Sequence, residues 1–130
     1  MPYNKLTRPE THVIDNKGTE RPFTGEYDAF YKEGVYVCRK CSNPLFESKA
    51  KFDAHCGWPA FDEHFEGAVK WDDHGLPFMG KEITCANCGG HLGHVFEGEK
   101  LTEKDTRHCV NSLSIKFIPK GERLPKVLKG

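Results

Sequence analysis

Four of the six cysteines stand in two short pairs, Cys38-Arg39-Lys40-Cys41 and Cys85-Ala86-Asn87-Cys88. Each Cys-x-x-Cys sets two sulfurs on one side of a tight turn, and two such turns supply the four thiolates of a closed tetrahedral zinc site. A thioredoxin-like redox role needs one pair at a helix N-terminus in a βαβ context, and neither pair has that setting. Four protein ligands leave no open coordination position. The expectation is therefore one structural zinc on Cys38, Cys41, Cys85 and Cys88, with iron as the other ion that accepts four thiolates. Cys56 and Cys109 stand outside this set and are free for redox or nucleophilic work.

Cys109 lies in Thr106-Arg107-His108-Cys109-Val110-Asn111-Ser112. A neighbouring cation lowers a thiol pKa and enriches the thiolate, which is the nucleophilic form. In an extended strand Arg107, Cys109 and Asn111 share one face, so a guanidinium, a thiol and an amide meet there. The plainer alternative is a buried, inert cysteine at the start of a strand. His91 and His94 read either as core or hydrogen-bonding residues or as proton-transfer groups. A second, histidine-based metal site would need further ligands that the nearby sequence does not offer. Trp58, in Cys56-Gly57-Trp58-Pro59, is either a wall for a small apolar group such as a methyl or a cap on the core.

The elements that must position these residues are short. Gly34 to Cys38 and Lys81 to Cys85 read as strands running into the two knuckles. Asn43-Pro44 turns the chain into a further extended piece, Leu45 to Glu47. Ala68 to Asp72 alternates like a strand, and Gly90 to Phe96 begins flexible and ends extended. Phe52 to Phe61, with Gly57 and Pro59, reads as a loop, as does the charged stretch 97–106. His108 to Ile118 ends in an alternation, with Leu113, Ile115 and Phe117 on one face and Ser112, Ser114 and Lys116 on the other. Thr7 to Val13 has room for one short helical turn within an arm, 1–26, that wraps over the domain. The tail 119–130 is expected to be a loose end. No convincing amphipathic helix emerges. The fold class is mainly β, built from short antiparallel strands and many turns.

Composition bounds the function. The 130 residues suit one domain, and 37% hydrophobic content makes a metal cross-link useful. Lys+Arg and Asp+Glu are equal at 19 each, so no basic field argues for nucleic acid. Neither a signal-peptide pattern at Met1 to Asp15 nor an apolar run of about 18 residues is present, and no membrane partner is expected. Paired cysteines without a secretion signal point to a reducing, cytoplasmic setting.

Several segments together resemble a known family. Gly18-Thr19-Glu20-Arg21-Pro22-Phe23-Thr24-Gly25, Cys56-Gly57-Trp58-Pro59, Cys85 through Phe96, and Arg107 through Ser112 are similar to the B-type methionine sulfoxide reductases, and the match runs from about residue 3 to residue 118. The resemblance implies two antiparallel sheets with a four-cysteine zinc site on the side away from the active site. It also implies Cys109 as nucleophile, Cys56 as resolving cysteine, and Trp58 as the wall for the sulfoxide methyl. His91, His94, Arg107 and Asn111 match the family's polar site positions. The implied activity is reduction of methionine-R-sulfoxide in proteins through a cysteine sulfenic acid, with thioredoxin reducing the resulting disulfide. Four features depart from the family pattern: Ala60 in place of Ser, His108 in place of an aromatic residue, Leu113 in place of a smaller residue, and a 97–106 loop without Pro-Thr-Gly. These bear on substrate preference and rate.

A different function class is a non-catalytic zinc-ribbon-like binding module, since fold alone does not decide activity. Cys109 between Arg107 and Asn111 discriminates the two, because a binder has no need of a lone activated thiol.

Overall fold

The computed structural model describes residues 2–72 and 80–129. Among these, nine strands form two antiparallel sheets. β1 (Gly34–Cys38) is the centre of a three-stranded sheet, with β2 (Pro44–Glu47) on one side and β9 (Ile115–Pro119) on the other. The second sheet has the order β3 (Lys51–Phe52), β4 (Ala60–Phe61), β8 (Thr106–Val110), β7 (His91–Glu97), β6 (Lys81–Cys85), β5 (Val69–Asp72). The mainly β expectation holds, with both knuckles at strand ends.

The sheets meet through aromatic side chains. Tyr36 of β1, Phe46 of β2 and Phe61 of β4 are fully buried. Phe46 and Phe61 stack at 4.3 Å, and Tyr36 meets Phe61 edge-on at 5.1 Å. Each such side chain contributes about 1.5–3 kcal/mol by leaving water. Leu45, Ile83, Leu92, Val110 and Ile115 complete the core.

The helical turn near the N-terminus becomes α1 (Arg8–Ile14). Thr7 caps it: its hydroxyl accepts from Glu10 N (3.4 Å), while Glu10 Oε1 accepts from Thr7 N (2.8 Å). Seven residues are too few for a helix to persist alone. Burial of Val13 and Ile14 holds it in place.

Four local expectations change. The Phe52–Phe61 loop carries strand pairing at both ends, where Lys51 and Phe52 face Phe61 and Ala60. β7 is extended from His91 rather than flexible at its start. The alternation after Cys109 is broken by a 3₁₀ turn at Ser112–Ser114, so Ser112 and Ser114 are buried and Leu113 is only half-buried. Both hydroxyls have partners: Ser112 Oγ accepts from Tyr27 N, and Ser114 Oγ donates to the His91 carbonyl. Finally, the tail expected to be loose is tied to both knuckles. Leu128 N donates to the Cys41 carbonyl, and the Leu128 carbonyl accepts from Asn87 Nδ2, both at 2.8 Å.

Candidate metal centre and active site

The knuckles follow β1 and β6, one from each sheet. Cys38 and Cys88 bring their sulfurs to 3.6 Å, Cys41 and Cys85 to 3.5 Å, and all four lie within 4.8 Å of one another. A regular tetrahedron with Zn–S bonds of about 2.3 Å has edges of about 3.8 Å, so the set fits a four-thiolate metal ion. Asn43 Nδ2 and Gly90 N point at Cys85 and Cys88 sulfurs, as outer donors do around a metal thiolate. Among the described residues this is the one group of His, Cys, Asp and Glu side chains close enough to hold a metal. The His91/His94 pair therefore has no metal partner set there.

The lone thiols converge elsewhere. Cys109 is on β8, at the register level of His94 on β7 and Ala60 on β4. His94 in turn pairs with Glu82 on β6. Cys85 lies three residues beyond Glu82, about 10 Å along the strand. Cys56 enters from the β3–β4 loop between His55 and Gly57, both with positive φ (56° and 91°). That loop delivers Cys56 Sγ to 3.6 Å from Cys109 Sγ. Gly93 of β7 lies beneath: a Cβ there would collide with the Cys109 carbonyl oxygen, so only glycine lets β7 approach β8 so closely.

Both sulfurs open into a cavity of about 290 Å³, lined also by Thr19, Trp58, Gly93, His94, Phe96, Arg107 and Asn111. A larger cleft of about 530 Å³, between the start of β1 and the tail, contains neither cysteine nor histidine. The chemistry therefore belongs to the smaller cavity. Trp58 is half-buried with its indole N–H donating to the Glu20 carbonyl (3.0 Å). It lines the cavity. Asn111 also lines it, yet its polar atoms serve the backbone: Oδ1 accepts from Glu20 N (3.0 Å) and Nδ2 donates to the Leu92 carbonyl (3.1 Å).

The two thiols titrate as a pair. The hydrogen bond from Cys109 draws Cys56 down to about 6 against the opposing effect of burial, with the Trp58 backbone and Arg107 assisting. Sharing a proton with Cys56, together with burial, pushes Cys109 up, and Arg107 opposes that rise. In the resting pair the negative charge is thus drawn to Cys56, and burial with the Cys56 hydrogen bond outweighs the lowering of Cys109 that its neighbour Arg107 predicts. Arg107 is fixed by a two-pronged bond to Glu99 (2.7 and 3.1 Å) and lies 4.3 Å from the centre of the Phe96 ring. Glu99 sits in the loop that departs from the family pattern.

His94 reaches the cavity; His91 does not. His91 is 3% exposed and stands behind His94, with ring centroids 5.6 Å apart. Its Nδ1 donates to Glu82 Oε2 at 2.7 Å, while Nε2 is buried without a partner. Burial works against ionisation of Glu82, but His91 and Lys17 outweigh it and hold the carboxyl below its usual range.

Three of the departures from the family pattern have physical addresses. His108 points to the opposite face of β8 from Cys109. It is buried among Phe46, His64 and Trp71, so it touches the core rather than the cavity. Ala60 is buried directly across from Cys109. Leu113 gives its amide to Glu20.

Glu20, Glu82 and Glu99 are the residues that sequence reading missed. Each is a single carboxylate whose partner lies far away in the chain or across a turn. Glu20 alone carried a sequence signal, because it falls in the Gly18–Gly25 segment that bore the resemblance.

Comparison with known proteins agrees with this geometry. The SelR domain matches residues 6–119. Peptide methionine sulfoxide reductase B3, chloroplastic, of Oryza sativa subsp. japonica is 53% identical over 120 residues, covering 90% of this chain and 51% of its own length. Peptide methionine sulfoxide reductase B5 of the same plant is 54% identical over 117 residues, covering 88% and 84%. Peptide methionine sulfoxide reductase 2 of Saccharomyces cerevisiae is 53% identical over 117 residues, covering 85% and 70%. The chain thus spans about half the length of the first of these relatives and most of the other two. Among the described residues, no helix is long and apolar enough to cross a membrane. With the SelR match over most of its length and these identities, the chain belongs to the SelR-domain family, the B-type methionine sulfoxide reductases.

Proposed function

We propose that this chain, as a single domain, reduces methionine-R-sulfoxide in proteins to methionine, and that Cys109 is the nucleophile and Cys56 the resolving cysteine. The observation that carries the reading is the 3.6 Å approach of these two sulfurs in a cavity walled by Trp58, Arg107 and His94. The sulfoxide methyl rests against Trp58 and its oxygen faces His94. Because His94 and Cys109 are directly opposite in the β7–β8 register, an oxygen held by His94 sets the sulfur over Cys109. With the proton of the pair on Cys56, Cys109 attacks that sulfur as the thiolate, His94 gives a proton to the oxygen, and as the sulfoxide S–O bond breaks the oxygen passes to Cys109 as sulfenic acid while methionine leaves. Cys56 thiol then condenses with the sulfenic acid, forming the Cys56–Cys109 disulfide and releasing water. Thioredoxin, as an external dithiol, reduces that disulfide by exchange.

Cys38, Cys41, Cys85 and Cys88 would hold one zinc, whose role is to join the knuckles. Thiolates at all four positions suit a structural ion, and a reducing compartment such as the cytoplasm keeps them available. The test is an assay of each purified methionine sulfoxide epimer, in a peptide, with dithiothreitol as reductant. Turnover of the R epimer alone is expected; turnover of both epimers at equal rates, or of neither, would refute the proposal.

A further inference from the structure

Glu20 ties the N-terminal arm to the cavity through all of its polar groups. Its N–H donates to Asn111 Oδ1 (3.0 Å), and its carbonyl accepts the Trp58 indole N–H (3.0 Å). Its carboxylate accepts from Ser112 N (2.6 Å) and Leu113 N (3.3 Å), the first amides of the 3₁₀ turn that follows Asn111. Two cavity-lining side chains, Trp58 and Asn111, are therefore oriented by the backbone of one residue, and that backbone is anchored by its own side chain. Charge-assisted bonds of this kind are stronger than neutral ones. The two free amides at the start of a short turn are otherwise without helical partners.

The chemistry of the anchor suits positioning rather than reaction. Glu20 does not line the cavity, so its carboxylate is not placed to exchange protons with a bound sulfoxide. Trp58 lines the cavity while its indole N–H donates to the Glu20 carbonyl. Rotation of the ring breaks that bond. The arm thus acts as a stop on the orientation of the indole in the cavity wall.

We infer that Glu20 is a positioning residue: its carboxylate, clamped on the amides of Ser112 and Leu113, holds the arm so that Trp58 presents a fixed wall to the substrate. The inference rests on the reductase reading of the cavity. Without the clamp, the sulfoxide loses a defined methyl seat but keeps Cys109, His94 and Arg107. Substrate binding and discrimination between the two faces of the sulfur should then fall more than the rate of the bound complex.

The test uses full-length Glu20→Ala and Glu20→Gln, with exposed Arg21→Ala as a control on the arm. In Glu20→Ala, KM for the R epimer should rise about tenfold and R-over-S discrimination should fall by a similar factor, with kcat changed less than about threefold. Glu20→Gln keeps an oxygen for the Ser112 amide and should recover most of both losses, and Arg21→Ala should match wild type. Hydrogen exchange gives a readout that does not need turnover: amides of 112 and 113 should exchange about tenfold faster in Glu20→Ala, with those of the knuckles unchanged. Unchanged KM and discrimination in Glu20→Ala would overturn the inference. So would retained protection at 112 and 113, or equal losses of kcat, KM and thermal stability in the Ala and Gln variants. Wild-type protein inactive on both epimers would overturn the reductase reading and the substrate half of this inference, while faster exchange at 112 and 113 would still uphold the clamp.

Discussion

Acidification should weaken this fold through His108, and the size of the effect follows from its surroundings. His108 is 2% exposed, with Nδ1 donating to the Phe61 carbonyl at 2.9 Å and Nε2 buried without a partner. Burial, with His64 adding to it, drives the imidazole pKa from 6.5 down to about 4. A histidine whose folded pKa is depressed contributes its full stability above the unfolded value. That contribution is lost as pH falls from 6.5 towards 4, because the unfolded chain takes up a proton that the fold refuses. Each pKa unit corresponds to about 1.4 kcal/mol. At pH 5 the loss is about 2 kcal/mol, approaching about 3 kcal/mol below pH 4. Urea unfolding of wild type and His108→Phe at pH 7.5 and pH 5.0 isolates this share. Phenylalanine suits the aromatic cluster, does not titrate, and leaves the other acid-sensitive groups in place, so their effects cancel in the difference. Wild type should lose about 2 kcal/mol more than the variant over this interval. Equal losses would show that His108 is not held neutral by burial and would refute the argument.

Without reductant, wild type should release about one methionine per site and stop with Cys56 and Cys109 joined; Cys56→Ser should still release that methionine and leave a trappable sulfenic acid on Cys109, and a burst from Cys109→Ser would reverse the roles. His94→Ala should lower kcat by about 10²–10⁴-fold and flatten the acid limb of the pH–rate profile, whereas unchanged kcat would move the acid elsewhere. Metal analysis should find one zinc per chain. Cys38→Ser should lower stability by several kcal/mol, and a variant as heat-stable as wild type would remove the metal from the fold.

The parts of this molecule that were legible in sequence are those written in local spacing. The knuckles, the strands that enter them, and the shared face of Arg107, Cys109 and Asn111 each need only a few consecutive residues. The meeting of Cys56 with Cys109 is different, since 53 residues separate them and no local period encodes their approach. Family resemblance supplied that pairing. Ser112 and Ser114 illustrate a second limit. Alternation placed them opposite the apolar face, but the Glu20 carboxylate captures the amides of 112 and 113 and the strand begins only at Ile115. A third limit is burial of charge. Glu82 on a short strand looks like a solvated carboxylate until the fold folds His91 against it.

The approach of Cys41 to Cys85 bears on the two lone thiols without touching them. A metal shared by these sulfurs closes a loop of 44 residues, and closing a loop of that length removes about 4 kcal/mol of chain entropy from the unfolded ensemble. Cys56 and Trp58 both ride within that loop, whereas Cys109 lies outside it. A metal bound there would therefore tether the segment carrying Cys56 at both ends even in the unfolded chain. On the proposed mechanism, removal of the metal would cost fold stability and so lower the fraction of molecules in which Cys56 stands beside Cys109.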